Sequence, residues 1–388
     1  MKLAKADVGF QSRGVQSKTA YQVAQTAKVM DMFSNMLYKN KIRAVIRELS
    51  TNAWDAHVMA GTTNHVPIMH LPSRQDPEFR LRDFGTGMSP EALEEMYQTY
   101  GASNKTHSND FNGCMGIGSK SPFAYANSFV TTSYFNGKKY VYVNAKDRNG
   151  MPSMQKMLEE DTNEVNGLEI SFAVSKDDLG EFKSEAEDVL RRFPKPFKVH
   201  CFHGKFNLKE DEYIYEGDGW KIRRYDYYNK DSFAIMGNVA YPIDPDKFDY
   251  KPEDMTEQDK TAWYQHYSRK TNEGKKTRRF YTDILNLGIE IEFETGEVEM
   301  DISREGLQYT KSTVDSIKKK LDNISDSIEK QVIEGIKNSD CTWDAALKLS
   351  ELMSGHFRTI RSMIDMDSIT YNGKKVPNLF NVDKLFVK

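Results

Sequence analysis

Apolar residues recur at helical spacing near both ends of the chain. Residues 18–38, "KTAYQVAQTAKVMDMFSNMLY", show this spacing, and residues 41–60 show it again up to Gly61, which predicts the end of the second helix. Residues 313–336 place their large aliphatic side chains on one stripe of a long amphipathic helix. The stripe consists of Val314, Ile317, Leu321, Ile324 and Ile328. We expect this stripe to pack against its own domain, in preference to a partner helix.

Shorter apolar and alternating runs between these helices predict strands. Ser89-Pro90-Glu91 predicts the start of a short helix among them, and Asn136-Gly137 predicts a tight turn between two strands. The predicted strands are "VPIMHL" (66–71), "FRLRDF" (79–84), "SFVTTSYF" (128–135), "KKYVYVNAK" (138–146) and "GLEISFAV" (167–174). This order of elements predicts an α+β fold with a largely antiparallel sheet.

The chain is too long, at 388 residues, for one compact core. The residue composition changes after the last predicted strand, so we expect a first domain at 1–176. A charged helix and an aromatic-rich block follow in a second domain at 177–310, with a predicted hairpin in "LGIEIEFETGEVEMDIS" (287–303). The remaining residues, 311–388, are predicted to form a helical C-terminal region.

Composition and charge exclude several classes of protein. The chain is 38% hydrophobic, which is typical of an ordinary soluble globular protein. Its net charge is only −3, so no global electric field favours binding to nucleic acid or an acidic membrane. Three scattered cysteines, Cys114, Cys201 and Cys341, argue against a disulfide framework. With no apolar run that fits a membrane span or a secretory signal, the sequence predicts a cytoplasmic protein. The basic stretch at 269–279 is interpreted as a solvated loop, in preference to an anion- or membrane-binding site.

Three polar residues share one face of the second predicted helix. Residues 46–61, "IRELSTNAWDAHVMAG", place Glu48, Asn52 and Asp55 at positions i, i+4 and i+7. On its own, such a stripe is most simply a solvated helix face. Two segments further along the chain change this interpretation of the stripe.

The first of these segments is "RDFGTGM" (82–88). Asp83 stands at the end of a predicted strand, and Gly85 and Gly87 let the backbone turn tightly and approach a flat ligand. The carboxylate of Asp83 could accept a hydrogen bond from an exocyclic amine. A protein-kinase "DFG" is rejected, because no catalytic loop precedes it and the upstream chain is too short for a kinase N-lobe.

The second segment is "NGCMGIGSKSPF" (112–123). Gly113, Gly116 and Gly118 lead into a predicted helix at Ser119, an arrangement in which backbone N–H groups converge on an anion such as phosphate. The segment is neither a Walker A loop nor a dinucleotide fingerprint. A purely structural glycine turn remains the alternative when this segment is taken singly.

In order and spacing, the three segments together resemble the N, G1 and G2 boxes of the GHKL superfamily. That superfamily comprises gyrase B, heat-shock chaperones of the HtpG type, histidine kinases and MutL. The resemblance implies a Bergerat-fold α/β sandwich that binds ATP with Mg²⁺, has a lid at 101–121, and is followed by a mixed α/β transducer-like middle domain. Because histidine kinases lack a glutamate at the position of Glu48, hydrolysis is favoured over phosphotransfer.

The resemblance also implies a role for each residue. Glu48 would activate the water that attacks the γ-phosphate, Asn52 would bind Mg²⁺, and Asp83 would accept a hydrogen bond from the adenine amino group. Met88 would lie against the adenine ring, and Lys105 would either contact phosphate or fold the lid. The other implied ATP-binding residues are Asp55, Ala56, Gly85, Gly87, Gly113, Gly116, Ile117, Gly118 and Ser119, of which the last five would hold the phosphates.

A segment of the second domain, "MDISREGLQYTK" (300–311), resembles the middle-domain segment of HtpG-type chaperones. The resemblance implies that Arg304 reaches the γ-phosphate when the domains close; the alternative is a surface arginine in a turn. One departure from the superfamily is Gly167-Leu168-Glu169, where many members have Gly-Thr. A threonine contact to adenine is therefore expected to be absent, and base discrimination would depend more on Asp83.

Longer segments resemble the rIIA proteins of T-even phages. They are "NKIRAVIRELSTNAWDAH" (40–57), "RDFGTGMS" (82–89), "SNDFNGCMGIGSKSPFAYANSF" (108–129) and "FAIMGNVAYPID" (233–244). This resemblance implies a protein of the host bacterial cytoplasm that affects lysis timing or host exclusion, and the GHKL resemblance implies that it acts as a slow, chaperone-like ATPase switch. The resemblance to rIIA proteins also implies peripheral association with the inner membrane and a host or phage protein partner, while GHKL analogy implies a homodimer strapped by an arm at 1–17.

Two alternatives remain open at this point. One is a nucleic-acid-handling ATPase of the MutL or gyrase type, although no Toprim or DNA-binding motif follows residue 310 and nucleic acid is not expected as a partner. The other is an interaction module that binds ATP without hydrolysing it.

Overall fold

The structure is a computed structural model. It describes residues 26–32, 37–98, 118–202, 204–208, 211–224, 231–248, 280–301, 303–353 and 369–376, together with Ile360 and Ile364. The helices are α1 (Ala27–Asp31), α2 (Lys41–Ala60), α3 (Pro90–Gln98), α4 (Leu179–Leu190), α5 (Phe280–Leu285), α6 (Lys311–Lys337) and α7 (Thr342–Met353), with 3₁₀ helices at Gly118–Ala124 and Pro245–Lys247. The strands are β1 (Ile68–His70), β2 (Glu78–Arg82), β3 (Ser128–Phe135), β4 (Lys138–Lys146), β5 (Pro152–Asp161), β6 (Gly167–Ala173), β7 (Lys198–His200), β8 (Tyr213–Gly217), β9 (Trp220–Arg223), β10 (Ser232–Met236), β11 (Val239–Ile243), β12 (Ile289–Glu292), β13 (Thr370–Tyr371) and β14 (Lys374–Lys375).

Helix α2 covers the predicted residues because both of its ends are capped. The side chain of Asn40 accepts a hydrogen bond from the backbone N–H of Arg43 at 2.9 Å. At the other end, Gly61 has a φ of 67°, the left-handed conformation that glycine adopts at little cost. The apolar face of α2, which includes Ile46 and Leu49, is buried in the core beneath the first sheet.

The first sheet contains seven strands in the order β5-β4-β3-β6-β2-β1-β7. Neighbouring strands are antiparallel except for the parallel pair β1 and β7, which confirms the α+β class and the largely antiparallel sheet. Asn136 and Gly137, with φ values of 52° and 79°, form the predicted turn between β3 and β4. The edge strand β5 is not among the predicted strands; most of its side chains are exposed.

The first sheet and its core extend beyond residue 176, the expected end of the first domain. Helix α4 contributes Leu179, Phe182 and Ala186 to this core, and β7 pairs with β1. Residues up to about 200 therefore belong structurally with the first sheet, because the apolar face of α4 covers it. We call this part the first unit.

The second unit, which runs from β8 to the hairpin of β13 and β14, contains a five-stranded sheet in the order β11-β10-β12-β9-β8. The predicted hairpin at 287–303 is wrong, because β12 lies between β10 and β9 and has no free edge for a returning strand. After a turn, Met300 forms an isolated bridge with Leu307 instead. The predicted stripe of α6 is confirmed, since Ile317 and Leu321 are fully buried in the core of this unit.

Two further expectations change in the structure. The helix expected at Ser119 is a 3₁₀ helix that contains Pro122, which has no N–H for an α-helical hydrogen bond. The region at 311–388 is not wholly helical, because β13 and β14 form a small hairpin within it. In the segments that the structure describes, no helix has the length and apolar character needed to cross a membrane.

Candidate functional site

The polar stripe of α2 lies inside the protein and is not a solvated face. Glu48 and Asp55 are only 3% and 1% exposed, and Asn52, between them, is half-buried. Carboxylates are seldom buried to this degree unless they are paired or hydrogen-bonded. The surroundings of this face therefore define the candidate site.

Glu48 is held by two arginines, one on each carboxylate oxygen. Arg304 Nη1 lies 2.9 Å from Glu48 Oε2, and Arg47 Nη2 lies 3.1 Å from Glu48 Oε1. Burial alone raises the pKa of Glu48, but the positive charges of Arg304 and Arg47 outweigh burial and lower the pKa below its ordinary value. The carboxylate is therefore ionised, with one guanidinium group on each oxygen.

Arg304 comes from the second unit and is buried, so it is not the surface arginine of the alternative interpretation. Only 6% of it is exposed, and its backbone has a φ of 58°, an uncommon conformation for a residue other than glycine. Sparsely populated backbone conformations persist where the surroundings over-determine them. Here the ion pair with Glu48 and the contacts of the neighbouring residues fix the position of Arg304.

Those neighbouring contacts join the two units beside Glu48. The carbonyl oxygen of Ser303 accepts a hydrogen bond from Arg47 Nη2 at 3.1 Å. The carboxylate of Glu305 accepts hydrogen bonds from the backbone N–H groups of Lys39 and Asn40 at 2.8 and 3.0 Å. A carboxylate at the N-terminus of a helix is favoured by the unsatisfied N–H groups and the helix dipole.

Gly118 brings the start of the 3₁₀ helix against the same carboxylate. A Cβ atom at this position would lie 2.6 Å from Glu48 Oε2 and 3.4 Å from Asn52 Nδ2. No side chain fits there without displacing Glu48, so the close approach requires glycine. Ser119 follows directly and is half-buried. The structure thus brings the end of the glycine-rich segment to the stripe.

Asp83 lies at the end of β2, in a loop that packs against the C-terminal half of α2. Its Oδ1 atom accepts hydrogen bonds from the backbone N–H groups of Gly85 and Leu168, at 2.9 and 3.2 Å. A Cβ atom on Gly85 would lie 2.7 Å from the Cβ of Ala56, so glycine is needed where this loop meets the helix. Gly167-Leu168 is the place where the sequence departs from the Gly-Thr of many superfamily members. There, the backbone N–H of Leu168 orients Asp83.

Gly87 and Met88 complete this loop. Gly87 has a φ of 68°, and a Cβ atom there would lie 2.2 Å from the carbonyl oxygen of Tyr134. The N–H of Met88 donates to Ser133 Oγ at 3.0 Å, and Ser133 Oγ donates back to the Met88 carbonyl at 2.7 Å. The Met88 side chain packs beside Leu93 in a small apolar cluster. The chain direction after Asp83 is thereby fixed.

His57 connects the loop after Asp83 to the turn that follows α2. Its Nε2 atom accepts a hydrogen bond from the N–H of Phe84 at 2.9 Å, and Nδ1 lies 3.3 Å from the carbonyl oxygen of Thr62. The neutral tautomer with a proton on Nδ1 satisfies both contacts. Burial is the main cause that lowers the pKa of His57, which favours this neutral form.

Several residues of the site were not among the predicted ones. Arg47 and Glu305 each directly adjoin a predicted residue, but nothing in the spacing of the sequence points to their contacts. Lys120, two residues after Gly118, is 3% exposed and its Nζ donates to the carbonyl of Met96 at 2.5 Å. Burial lowers the pKa of Lys120 to about 8.

The predicted residues fall into two groups along α2. Glu48, Asn52, Gly118, Ser119 and Arg304 lie around its middle. Ala56, Asp83, Gly85 and the loop through Met88 lie at its C-terminal half, and Asp55 is buried on the helix between the two groups. Lys105, Gly113, Gly116 and Ile117 lie outside the described residues, as do the arm at 1–17 and most of the lid at 101–121.

The amide of Asn52 is the candidate ligand for a magnesium ion held mainly by a ligand's phosphates. Asn52 places an amide group beside Gly118 and one helical turn from Glu48. Mg²⁺ prefers oxygen ligands and commonly takes only one or two from the protein, with phosphates and water completing its shell. Asn52 is the residue that would hold it.

The comparisons with known proteins point to one family. A search of curated protein sequences finds no match to the chain. Residues 40–171 match the model of the histidine kinase-, DNA gyrase B- and HSP90-like ATPase family. The matched segment begins at the cap of α2, contains the loop of Asp83 and the turn of Gly118, and ends in β6. This match supports a GHKL-type ATPase domain in that part of the chain.

Proposed function

We propose that this protein is an ATP-hydrolysing conformational switch whose nucleotide lies along α2. The observation that carries the proposal is the buried ion pair between Glu48 and Arg304. This pair connects the candidate general base of the first unit to a cation of the second unit, 256 residues away in sequence. The family match over residues 40–171 supports ATP as the ligand.

The two groups of residues suit the two ends of a nucleotide. Glu48 and Ala56 are separated by about 12 Å along the helix axis, at a rise of 1.5 Å per residue. Glu48, Arg304 and Gly118 form the end at which the triphosphate is handled. Asp83 forms the other end, where its oriented carboxylate is suited to accept a hydrogen bond from the adenine amino group.

Glu48 is a weak base while both of its oxygens are paired with guanidinium groups, because they lower its pKa. In our proposal, the γ-phosphate of ATP takes over Arg304, which frees Oε2 of Glu48 to accept a proton from the attacking water. Arg47 keeps the other oxygen in place. Asn52 would hold Mg²⁺, which neutralises phosphate charge when bound. Exchange of Arg304 between carboxylate and phosphate couples ATP hydrolysis to docking of the second unit.

The test compares ATP binding, by calorimetry, with steady-state phosphate release in the full chain. Glu48→Gln is expected to keep ATP binding and to lose about 10²–10⁴-fold in hydrolysis rate, the usual contribution of a general base. Asp83→Asn is expected to weaken ATP binding. The exposed Glu159 provides a matched control, since Glu159→Gln makes the same chemical change on the edge strand β5 and should change neither quantity.

Each contrary result has a distinct meaning. Unchanged hydrolysis in Glu48→Gln refutes the general base, and absence of ATP binding in the unaltered chain refutes the nucleotide site. ATP binding without any hydrolysis would support the non-hydrolysing module. Stimulation of hydrolysis by DNA would support the MutL- or gyrase-like alternative.

The resemblance to rIIA proteins supports a cellular role for this switch in infected bacteria. There it would act in the host cytoplasm or at the periphery of the inner membrane, through a host or phage protein, on lysis timing or host exclusion. GHKL analogy also supports a homodimer that closes on ATP. Light scattering with and without a non-hydrolysable ATP analogue tests this state, and a monomer under both conditions refutes it.

A further inference from the structure

A cleft of about 540 Å³ lies between the two units, next to the contacts of Glu305. The first unit lines it with the N-terminal half of α2 and the end of α4, and the second unit lines it with β10 and β11. Its volume lies in the range of small-molecule sites. Because both units contribute walls, a ligand in this cleft would contact both.

Cationic side chains outnumber carboxylates on the walls of this cleft, five to three. Three of the arginines also pair with carboxylates behind the walls: Arg43 with Glu185, Arg47 with Glu48 and Arg191 with Asp211. The cations are Lys39, Arg43, Arg47, Arg191 and Arg192. They lie in or just before the first turns of α2 and directly after the end of α4.

The carboxylate of Asp188 does not cancel this charge, because three arginines share it. Arg43 Nη2 lies 2.5 Å from Oδ2, while Arg191 Nε and Arg192 Nη1 lie 3.1 and 3.6 Å from Oδ1. Burial alone raises the pKa of Asp188, but these arginines outweigh burial and lower it. A second carboxylate, that of Glu305, is already bound by two backbone N–H groups.

Arg192 holds buried donors that no acceptor uses. Its side chain is 10% exposed, and its Nε and Nη2 atoms are buried without a hydrogen bond. Oε1 of Glu290 lies 3.6 Å from Nη2 as an ion pair, too far for a hydrogen bond, and this oxygen has no hydrogen bond of its own. Burial, and then the positive charge of Arg191, lowers the pKa of Arg192. Buried donors left unpaired in this way commonly mark a place for a ligand or an ion.

The chemistry of the walls indicates the class of ligand. Guanidinium groups present planar forks that bind phosphate oxygens in pairs, and forks from several directions suit a tetrahedral anion better than a flat carboxylate. Phe233, Val239 and Pro242 add an apolar wall on the second unit, which suits an organic group attached to the phosphate.

We propose that this cleft binds a small phosphate-bearing molecule between the two units. The site is distinct from the nucleotide site proposed along α2, although Arg47 borders both. A ligand here would stabilise the docked arrangement, because the site is complete only when both units are in contact.

The test uses inorganic pyrophosphate as the probe, titrated calorimetrically into the full chain in the presence of saturating ADP. ADP occupies the proposed nucleotide site and leaves the cleft open. The unaltered chain is expected to bind pyrophosphate, and Arg192→Gln to weaken that binding by about 10–100-fold, the effect of losing charge-assisted hydrogen bonds. Arg148→Gln is the matched control, because it removes the same charge from an exposed turn between β4 and β5 and should change nothing.

Arg192→Lys covers the case in which Arg192→Gln does not fold. Lysine keeps the charge and loses the fork, so an intermediate loss of affinity is expected. Equal affinity in the unaltered chain and in the Arg192 variants, or no binding to the unaltered chain, overturns the proposal. If ADP does not bind, the nucleotide site is refuted. The cleft is still tested in that case, because its test is the change in pyrophosphate affinity in the Arg192 variants.

Discussion

The contact between Glu48 and Arg304 makes a quantitative prediction about the docking of the two units. Both residues are nearly fully buried, at 3% and 6% exposure, and their charged atoms lie 2.9 Å apart. Removal of one partner of a buried pair typically costs about 3–5 kcal/mol, because the other charge is left uncompensated. Arg47 still contacts Glu48, so we expect Arg304→Met to cost about 2–3 kcal/mol of docking free energy.

Backbone hydrogen exchange measures this docking directly. The amides of Lys39 and Asn40 donate to Glu305 across the junction, so they exchange when the second unit undocks. A loss of about 2–3 kcal/mol predicts exchange faster by roughly 30–150-fold at these two amides. The amide of Leu168, which donates to Asp83 within the first unit, is the internal control and should not change.

A double-mutant cycle with Glu48→Gln separates the ion pair from other effects of each substitution. The two substitutions should be non-additive, with a coupling of about 1.5–3 kcal/mol. The coupling should also depend on pH, because the pKa of Glu48 lies below its ordinary value of 4.5 in the docked state. The coupling is fully present above pH 4.5 and is lost as the pH falls through the lowered pKa of Glu48. Additive effects, or a coupling that does not change at acid pH, would refute the reasoning.

Three further predictions concern single residues around the site. Glu305→Gln removes the charge that binds the helix N-terminus and should cost about 1–2 kcal/mol of docking, seen as faster exchange of the same junction amides; unchanged exchange would contradict it. Gly87→Ala and Gly61→Ala both place alanine in a left-handed backbone conformation. Only at Gly87 would the new Cβ atom meet a carbonyl oxygen, at 2.2 Å. Gly87→Ala should therefore lower the urea midpoint distinctly more than Gly61→Ala, and equal effects would argue against the clash. For His57, the folded-state pKa lies below the ordinary 6.5, so the unfolded chain binds its proton first and stability should fall as the pH drops below 6.5. That acid loss should be smaller in His57→Gln, and an equal loss would exclude His57 as its source.

Local signals in the sequence were enough to predict much of the first unit. The bounds of α2 follow from its periodic apolar face and from Gly61 at its end, and the hairpin of β3 and β4 follows from alternation and the Asn136-Gly137 turn. Both signals act over a few residues, so they do not depend on the rest of the fold. The placement of Glu48 and Asn52 on one face is likewise a consequence of helical geometry alone.

Pairings between distant segments were decided only by the tertiary structure. The hairpin expected after β12 does not form, because β10 and β9 pair with the two edges of that strand. The sequence alone does not tell which strands will pair with those edges. The extension of the first sheet to β7 has the same origin, since β7 is only three residues long and gains its stability from pairing with β1.

The charged centre of the site shows the same division between local and tertiary information. The sequence by itself determined that Glu48 lies on a face with Asn52, and that Arg304 lies in a segment between two elements. It could not associate Arg47 with that face, because adjacent helical residues point in different directions. Only the second unit, by bringing Arg304 to Glu48 and the Ser303 carbonyl to Arg47, turns these side chains into one buried ionic cluster. In this low-dielectric position their charges interact strongly enough to link the two units.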